Sequence, residues 1–190
     1  LVQQRLSHAV VLLQETPWLL QAKSEEQQKK NIALLFDLAK MSLQVESAMD
    51  KLTEMQSPNG GFVWFNGGPD DRYITQYIIT GIGHLRKVDA LASYQQNAIK
   101  NIADKAIPYL DLKLKNDYEN LIKYKSDLKA NQLSDIIGQY LYMRSFFPDY
   151  PVEKNVQIAY NFYKEQSKKY WMSQSKYMQA MLALSLHRTK

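Results

Sequence analysis

The sequence predicts an all-α fold, and three observations carry the prediction. Apolar residues recur at three- and four-residue steps through most of the chain, the period of one helix face. No stretch shows a convincing two-residue alternation. Glycine and proline, the strongest interrupters, are gathered: six of the seven glycines and two of the six prolines lie between Met55 and Val88. About eight helices are legible, joined mostly by short loops, so sequence neighbours are expected to pack antiparallel. Residues 25–40 and 152–170 are charged and one-sided, whereas 72–87 and 174–187 are apolar around most of their circumference. An outer and an inner layer of helices would produce that alternation.

Taken in order, residues 1–14 continue a helix entered partway, with apolar periodicity running from Leu1 and Val2 through Leu6, Val10 and Leu13. The chain is therefore expected to be a single partial domain, 1–190, of something longer. Thr16-Pro17 is a fresh start signal, followed by the apolar plug Trp18-Leu19-Leu20. Ser24 to Gln27 forms a capping box. The helix it opens carries Ile32, Leu35, Phe36 and Ala39 on one face. Ser42 is expected to cap another, with Val45, Ala48, Met49, Leu52 and Met55 on its face.

Pro58-Asn59-Gly60 is a turn signal. Phe62, Trp64 and Phe65 sit between Gly60-Gly61 and Gly67-Gly68, where positive φ or a close approach is needed. Asp70 or Asp71 caps a helix that begins near Arg72 and ends near Lys87. Gly81 and Gly83 within it cost about 1 kcal/mol each against Ala, which points to another backbone packed close by. Tyr94–Leu114 is the next helix, with Pro108 expected to kink or break it. Residues 116–129 read as a polar helix tail and connection. Leu133 to Arg144 is a further helix, ended by Pro148 and Pro151. Val156, Ala159, Tyr163, Gln166 and Tyr170 mark one more, and Tyr177, Met178, Met181, Leu182 and Ser185 the last.

Composition excludes several functions. With 45% hydrophobic residues the chain can build a core. It has no run of about eighteen apolar residues, so no transmembrane helix is expected. The net charge of +5 comes from lysines spread over polar helix faces, which points to solvated surface and not to a nucleic-acid groove. The absence of cysteine removes disulfides, thiolate metal sites and thiol nucleophiles. His8, His84 and His187 have no metal-ligand spacing. No nucleophile elbow, Walker loop or Rossmann fingerprint occurs. Neither a metal nor a cofactor is expected, and no enzymatic activity.

At Ser57–Leu85, SPNGGFVWFNGGPDDRYITQYIITGIGHL, the chain resembles the thioester domain of bacterial alpha-2-macroglobulin-like proteins. Glu15–Lys23 (ETPWLLQAK), Lys29–Asp37 (KKNIALLFD) and Arg144–Val152 (RSFFPDYPV) are similar to the same domain upstream and downstream. The resemblance implies an α/α toroid, an inner ring of helices inside an outer one, as in complement thioester domains and terpenoid cyclases. It implies an endopeptidase inhibitor of the periplasm, cell envelope or secreted fraction, with attacking proteases and the parent's other domains as partners. A protease cuts a bait region, the molecule rearranges, and a thioester between Cys and Gln of a C-x-E-Q motif acylates the attacker. This chain departs from that pattern: without cysteine it holds no thioester. Glu26-Gln27 and Glu165-Gln166 lack a preceding Cys. Where some relatives carry a histidine that takes over the acyl group, this chain reads Tyr73-Ile74-Thr75-Gln76. Either the motif lies ahead of Leu1 or this member lacks it; the first is the expectation, and it makes the chain a helical scaffold downstream of the motif and an incomplete ring. Self-association through exposed inner-helix surface is a further expectation.

The residues singled out as structural or interaction candidates are Phe62, Trp64, Phe65, Asp70, Asp71, Arg72 and Thr75. Trp64, with Phe62 or Phe65, is expected to plug the loop into neighbouring helix ends, so that Trp64→Ala should cost about 3–5 kcal/mol. Asp70-Asp71-Arg72 is expected to cap the following helix along its dipole. Two other functions compete. One is a toroid enzyme acting on carbohydrate or isoprenoid, using Asp70, Asp71 and Asp135 in a cavity lined by Trp64 and tyrosines. The other is a helical protein-interaction module.

Overall fold

A computed structural model describes residues 25–65, 67–88 and 93–190. The expected helix over 1–14, the Thr16-Pro17 start, the Trp18 plug and the Ser24 cap lie outside them. The chain divides between Leu52 and Thr53 into two units, described separately. The described residues are mostly helical, with one short hairpin and the loops that join the elements, as the all-α reading expects.

Before the division, the described residues belong to α1, Glu25–Met55. Ser42 does not open a second helix there. Nothing between Glu25 and Met55 is Gly or Pro, and Ser in a helix interior costs well under 1 kcal/mol, too little to break a run of Leu, Ala, Lys and Gln. The expected stripe is only partly covered: Ile32 and Phe36 are exposed, and Leu35 and Ala39 are half-buried.

The second unit contains β1 (Phe62–Val63), β2 (Asp70–Asp71), α2 (Arg72–Lys87), α3 (Ser93–Lys123), α4 (Asp135–Arg144), α5 (Gln157–Tyr170) and α6 (Lys176–Arg188). A single 3-10 turn, Trp171–Ser173, links the last two helices. Its centre is α4, which packs against α2, α3, α5 and α6. From Ile137 to Phe147 every residue except Gln139 is buried. The helices expected to be innermost, 72–87 and 174–187, lie beside it and keep an open side: Tyr73, Tyr77, Tyr177 and Leu184 are exposed. Tyrosine counts as apolar in a periodicity but tolerates water at its hydroxyl end, which is why these faces read as fully buried.

Pro108 neither breaks nor ends α3, which runs through it to Lys123. Pro108 faces solvent, while Ile102, Ala103, Ala106, Ile107, Leu110 and Leu114 are buried along the opposite side. An interior proline costs about 3 kcal/mol. Six buried apolar side chains offset it. Gly83 does allow close packing, but by a side chain: a Cβ there would sit 2.6 Å from the Phe146 ring.

Among the described residues one ion pair lies inside the core. The Arg144 guanidinium meets the Asp111 carboxylate at 3.2 Å and donates to the carbonyls of Phe147 and Tyr150, both at 2.8 Å. Tyr140 donates its hydroxyl to the same carboxylate at 2.5 Å. Burial nonetheless pushes the Asp111 carboxyl above its ordinary range, Arg144 and Tyr140 pulling the other way. The pair ties α3 to α4 and folds the chain after α4 back onto it.

Candidate functional site

The site grows out of the turn at Ser57–Gly60. The Gly60 amide donates to the Ser57 carbonyl at 2.9 Å, and the Ser57 amide donates to Gly61 at 2.8 Å. Pro58 and Asn59 occupy the two central positions, as the turn signal implies. Asn59 Oδ1 accepts from the Gly61 amide at 2.9 Å, and its amide nitrogen donates to the Asp70 carboxylate. Gln56 Nε2 donates to the Gly60 carbonyl and to the Ile102 carbonyl of α3, each at 3.0 Å. Gly60 has φ +95°, and a Cβ there would run into the Lys105 carbonyl. Only glycine fits, in conformation and in space.

α3 supplies a rail for this turn. Four of its residues, spaced by four and hence on one face, meet successive parts of the loop. The Lys105 backbone lies under Gly60. The Tyr109 ring lies under Gly61, 2.9 Å from where a Cβ would be. Lys113 sits over the Tyr109 ring at 5.0 Å and adds its positive charge near Asp70. Asp117 pairs with Arg72 at 2.5 Å.

From Gly61 the chain enters the hairpin, with Phe62 opposite Asp71 and Val63 opposite Asp70 in antiparallel register. Phe62 is fully buried, at 0% exposure. Its amide donates to Thr75 Oγ1 at 2.8 Å, while the Thr75 hydroxyl donates to the Asp71 carbonyl at 2.7 Å. Asp71 caps α2 by accepting from the Ile74 amide at 2.7 Å. Arg72 donates through Nε to Gln76 at 3.1 Å, and Gln76 in turn donates to the Ile136 carbonyl of α4. Hydrogen bonds from Ser57 and then Asn59 hold the Asp70 carboxyl below its ordinary range. Among the described residues, two buried side-chain atoms have no hydrogen-bond partner, Arg72 Nη2 and Tyr109 Oη.

The sequence-chosen residues thus separate into two groups. Phe62, Asp70, Asp71, Arg72 and Thr75 are drawn together at the hairpin base, and each is engaged in holding it. Trp64 and Phe65 are not: they are 64% and 62% exposed. The expectation that Trp64 plugs the loop is therefore wrong, and only its Phe62 part holds. Leaving all three aromatics in water would forfeit about 1.5–3 kcal/mol apiece of burial free energy, which is the basis of that expectation. Phe62 alone, with the hydrogen bonds of Gln56, Asn59 and Thr75, provides the packing that orders the turn. Pairing ends at Val63, so the chain leaves the hairpin and carries the next two aromatics outward; the Phe65 ring lies against Gly68 instead of a helix end.

Sequence reasoning missed Gln56, Asn59, Tyr109 and Asp117 as parts of the site. Asn59 had a local signal in its turn; Tyr109 and Asp117 lie far along the chain and had none. Among the described residues no cluster of three or more His, Cys, Asp or Glu side chains could hold a metal ion. No described helix is long and apolar enough to cross a membrane. Comparison with family profiles, with curated proteins and with solved structures gives no match for this chain.

Proposed function

We propose that the chain is part of the thioester domain of a bacterial alpha-2-macroglobulin-like endopeptidase inhibitor, acting as helical scaffold and contact surface. One observation carries the reading: the stretch with the resemblance is a pinned loop that still holds Trp64 and Phe65 out to solvent. Large aromatics kept exposed on an ordered loop mark contact sites. In such an inhibitor they would touch another domain of the parent protein or the captured protease. Its location would be the periplasm, cell envelope or secreted fraction.

The open side of α2 and α6 supports the same reading. Tyr73, Tyr77, Tyr177 and Leu184 line a groove of ≈ 590 Å³ there. In a toroid further inner helices would cover that side; a second copy would cover it otherwise. The carboxylates a toroid enzyme would use favour the scaffold: Asp70 and Asp71 are committed to Asn59 and to the α2 cap. Trp64 faces solvent instead of a cavity shared with them.

The test has two parts. The coding sequence ahead of Leu1 should encode a Cys-x-Glu-Gln motif, and the full protein, treated with a protease, should form an adduct that survives denaturation. Alanine at Trp64 and Phe65 should reduce the adduct yield. A reading frame that begins at Leu1, or a full protein that forms no adduct, contradicts the proposal.

A further inference from the structure

A second surface, away from the glycine loop, lies where α2 and α6 end beside the chain that leaves α4. It is a groove of ≈ 760 Å³ lined by Arg86 and Lys87 of α2, His187 and Arg188 of α6, and Asp149 with Phe146 and Pro148 from the segment after α4. Basic residues in a last helical turn complement the helix dipole, so their presence alone signifies little. Their pairing says more. Among the described residues Asp149 is the one carboxylate lining the groove, and Arg86 already holds it at 2.8 Å. Lys87 and Arg188 make no ion pair among the described residues.

Arg188 is also fixed in place. Its guanidinium lies 4.0 Å from the Phe146 ring centre and 5.4 Å from that of Tyr142. Nη1 donates to Ser145 Oγ at 3.2 Å. A guanidinium stacked on aromatic rings has already lost the rotamer freedom that binding would otherwise remove, and its remaining N–H groups suit a carboxylate. The groove therefore offers an oriented cation, an ammonium beside it with no ion-pair partner among the described residues, and apolar surface from exposed Pro148.

We propose that this groove binds an extended acidic segment of a protein partner. Carboxylates would meet Arg188 and Lys87, an apolar side chain would lie on Pro148, and a peptide N–H would donate to Asp149. A nucleic acid fits less well: its phosphate backbone brings no N–H donor for Asp149, and the carboxylate repels it. The cations here form a small cluster, not the long stripe that tracks phosphates.

The proposal stands apart from the inhibitor reading and is tested on the whole chain. A fluorescein-labelled peptide of glutamates around a central phenylalanine is titrated by anisotropy against its glutamine counterpart. The glutamate peptide should bind at least about tenfold more tightly, a difference of about 1.4 kcal/mol. The charge reversal Lys87→Glu, at an exposed position, should weaken it by about tenfold. Lys123→Glu, which does not line the groove, should change it by less than about twofold. Arg188→Lys should weaken binding while retaining the charge, because an ammonium lacks the planar fork. Equal affinity for the glutamine peptide overturns the proposal. So does equal loss from Lys87→Glu and Lys123→Glu, or tighter binding of duplex DNA or of phosphatidylserine vesicles than of the peptide.

Discussion

The two halves of the glycine loop, Ser57–Phe62 and Trp64–Gly68, have similar composition and opposite roles. Each contains a glycine pair and at least one large aromatic. The first half is bolted to α3 and α2 through Gln56, Tyr109 and Thr75, and buries its phenylalanine completely. The second half buries neither of its aromatics. Both halves also contain a glycine at positive φ, Gly60 and Gly67, yet a Cβ at Gly60 collides with α3 while one at Gly67 meets nothing within 4 Å. The difference teaches that a Gly-aromatic pattern marks a shaped loop but does not say which aromatic the fold keeps. That is decided by what lies on the facing helix.

The largest effect expected from this asymmetry is at Phe62. Phe62→Ala should lower the stability of the second unit by about 3–5 kcal/mol, the range for truncating a buried aromatic. Chemical denaturation followed by far-UV circular dichroism measures it. A loss near zero would mean that the turn is held by its hydrogen bonds alone.

Next comes the glycine pair. Gly60→Ala adds a backbone clash to an unfavourable φ, and should cost clearly more than Gly67→Ala, which pays about 1–2 kcal/mol for left-handed geometry alone. Thermal melts of the two variants rank them. Equal costs would show that α3 does not constrain the turn.

How much of this was legible beforehand depends on the reach of each contact. The start of α2 was readable because Asp71 caps it three residues from its partner, Ile74. Its end at Lys87 and the turn at Pro58-Asn59 were readable for the same local reason. The break at Pro108 and the fresh start at Ser42 misled, because the local penalty was visible and the tertiary packing that overrides it was not. The direction of Trp64 was hidden too. Composition shows that an aromatic is present; the hairpin register, set by Phe62 opposite Asp71, determines where it points. The rail on α3 is beyond local reading, since Arg72 and Asp117 are 45 positions apart.

A smaller effect should appear with pH. Ser57 and Asn59 hold the Asp70 carboxyl low in the folded chain, so the folded state favours the ionised form. This contribution is present above the unfolded carboxylate range and is lost as pH falls below about 4. Asp70→Asn should therefore flatten that part of the acid-unfolding profile. Asp111 works in the opposite direction: burial raises it, so its ionisation costs the fold stability as pH rises from the unfolded pKa through the folded one. A profile for Asp70→Asn that still matches the parent below about pH 4 would show that the Asn59 contact does not hold the turn in solution.

The smallest stability effect is expected at the tip, and it tests the central claim most directly. The double variant Trp64→Ala/Phe65→Ala and the single variant Phe62→Ala are unfolded in urea beside the parent. The outer pair should leave the unfolding free energy within about 0.5 kcal/mol of the parent, as for exposed positions, while Phe62→Ala alone lowers it by about 3–5 kcal/mol. A double variant that loses as much stability as Phe62→Ala would contradict the division of the loop into an inner half that folds and an outer half kept for contact.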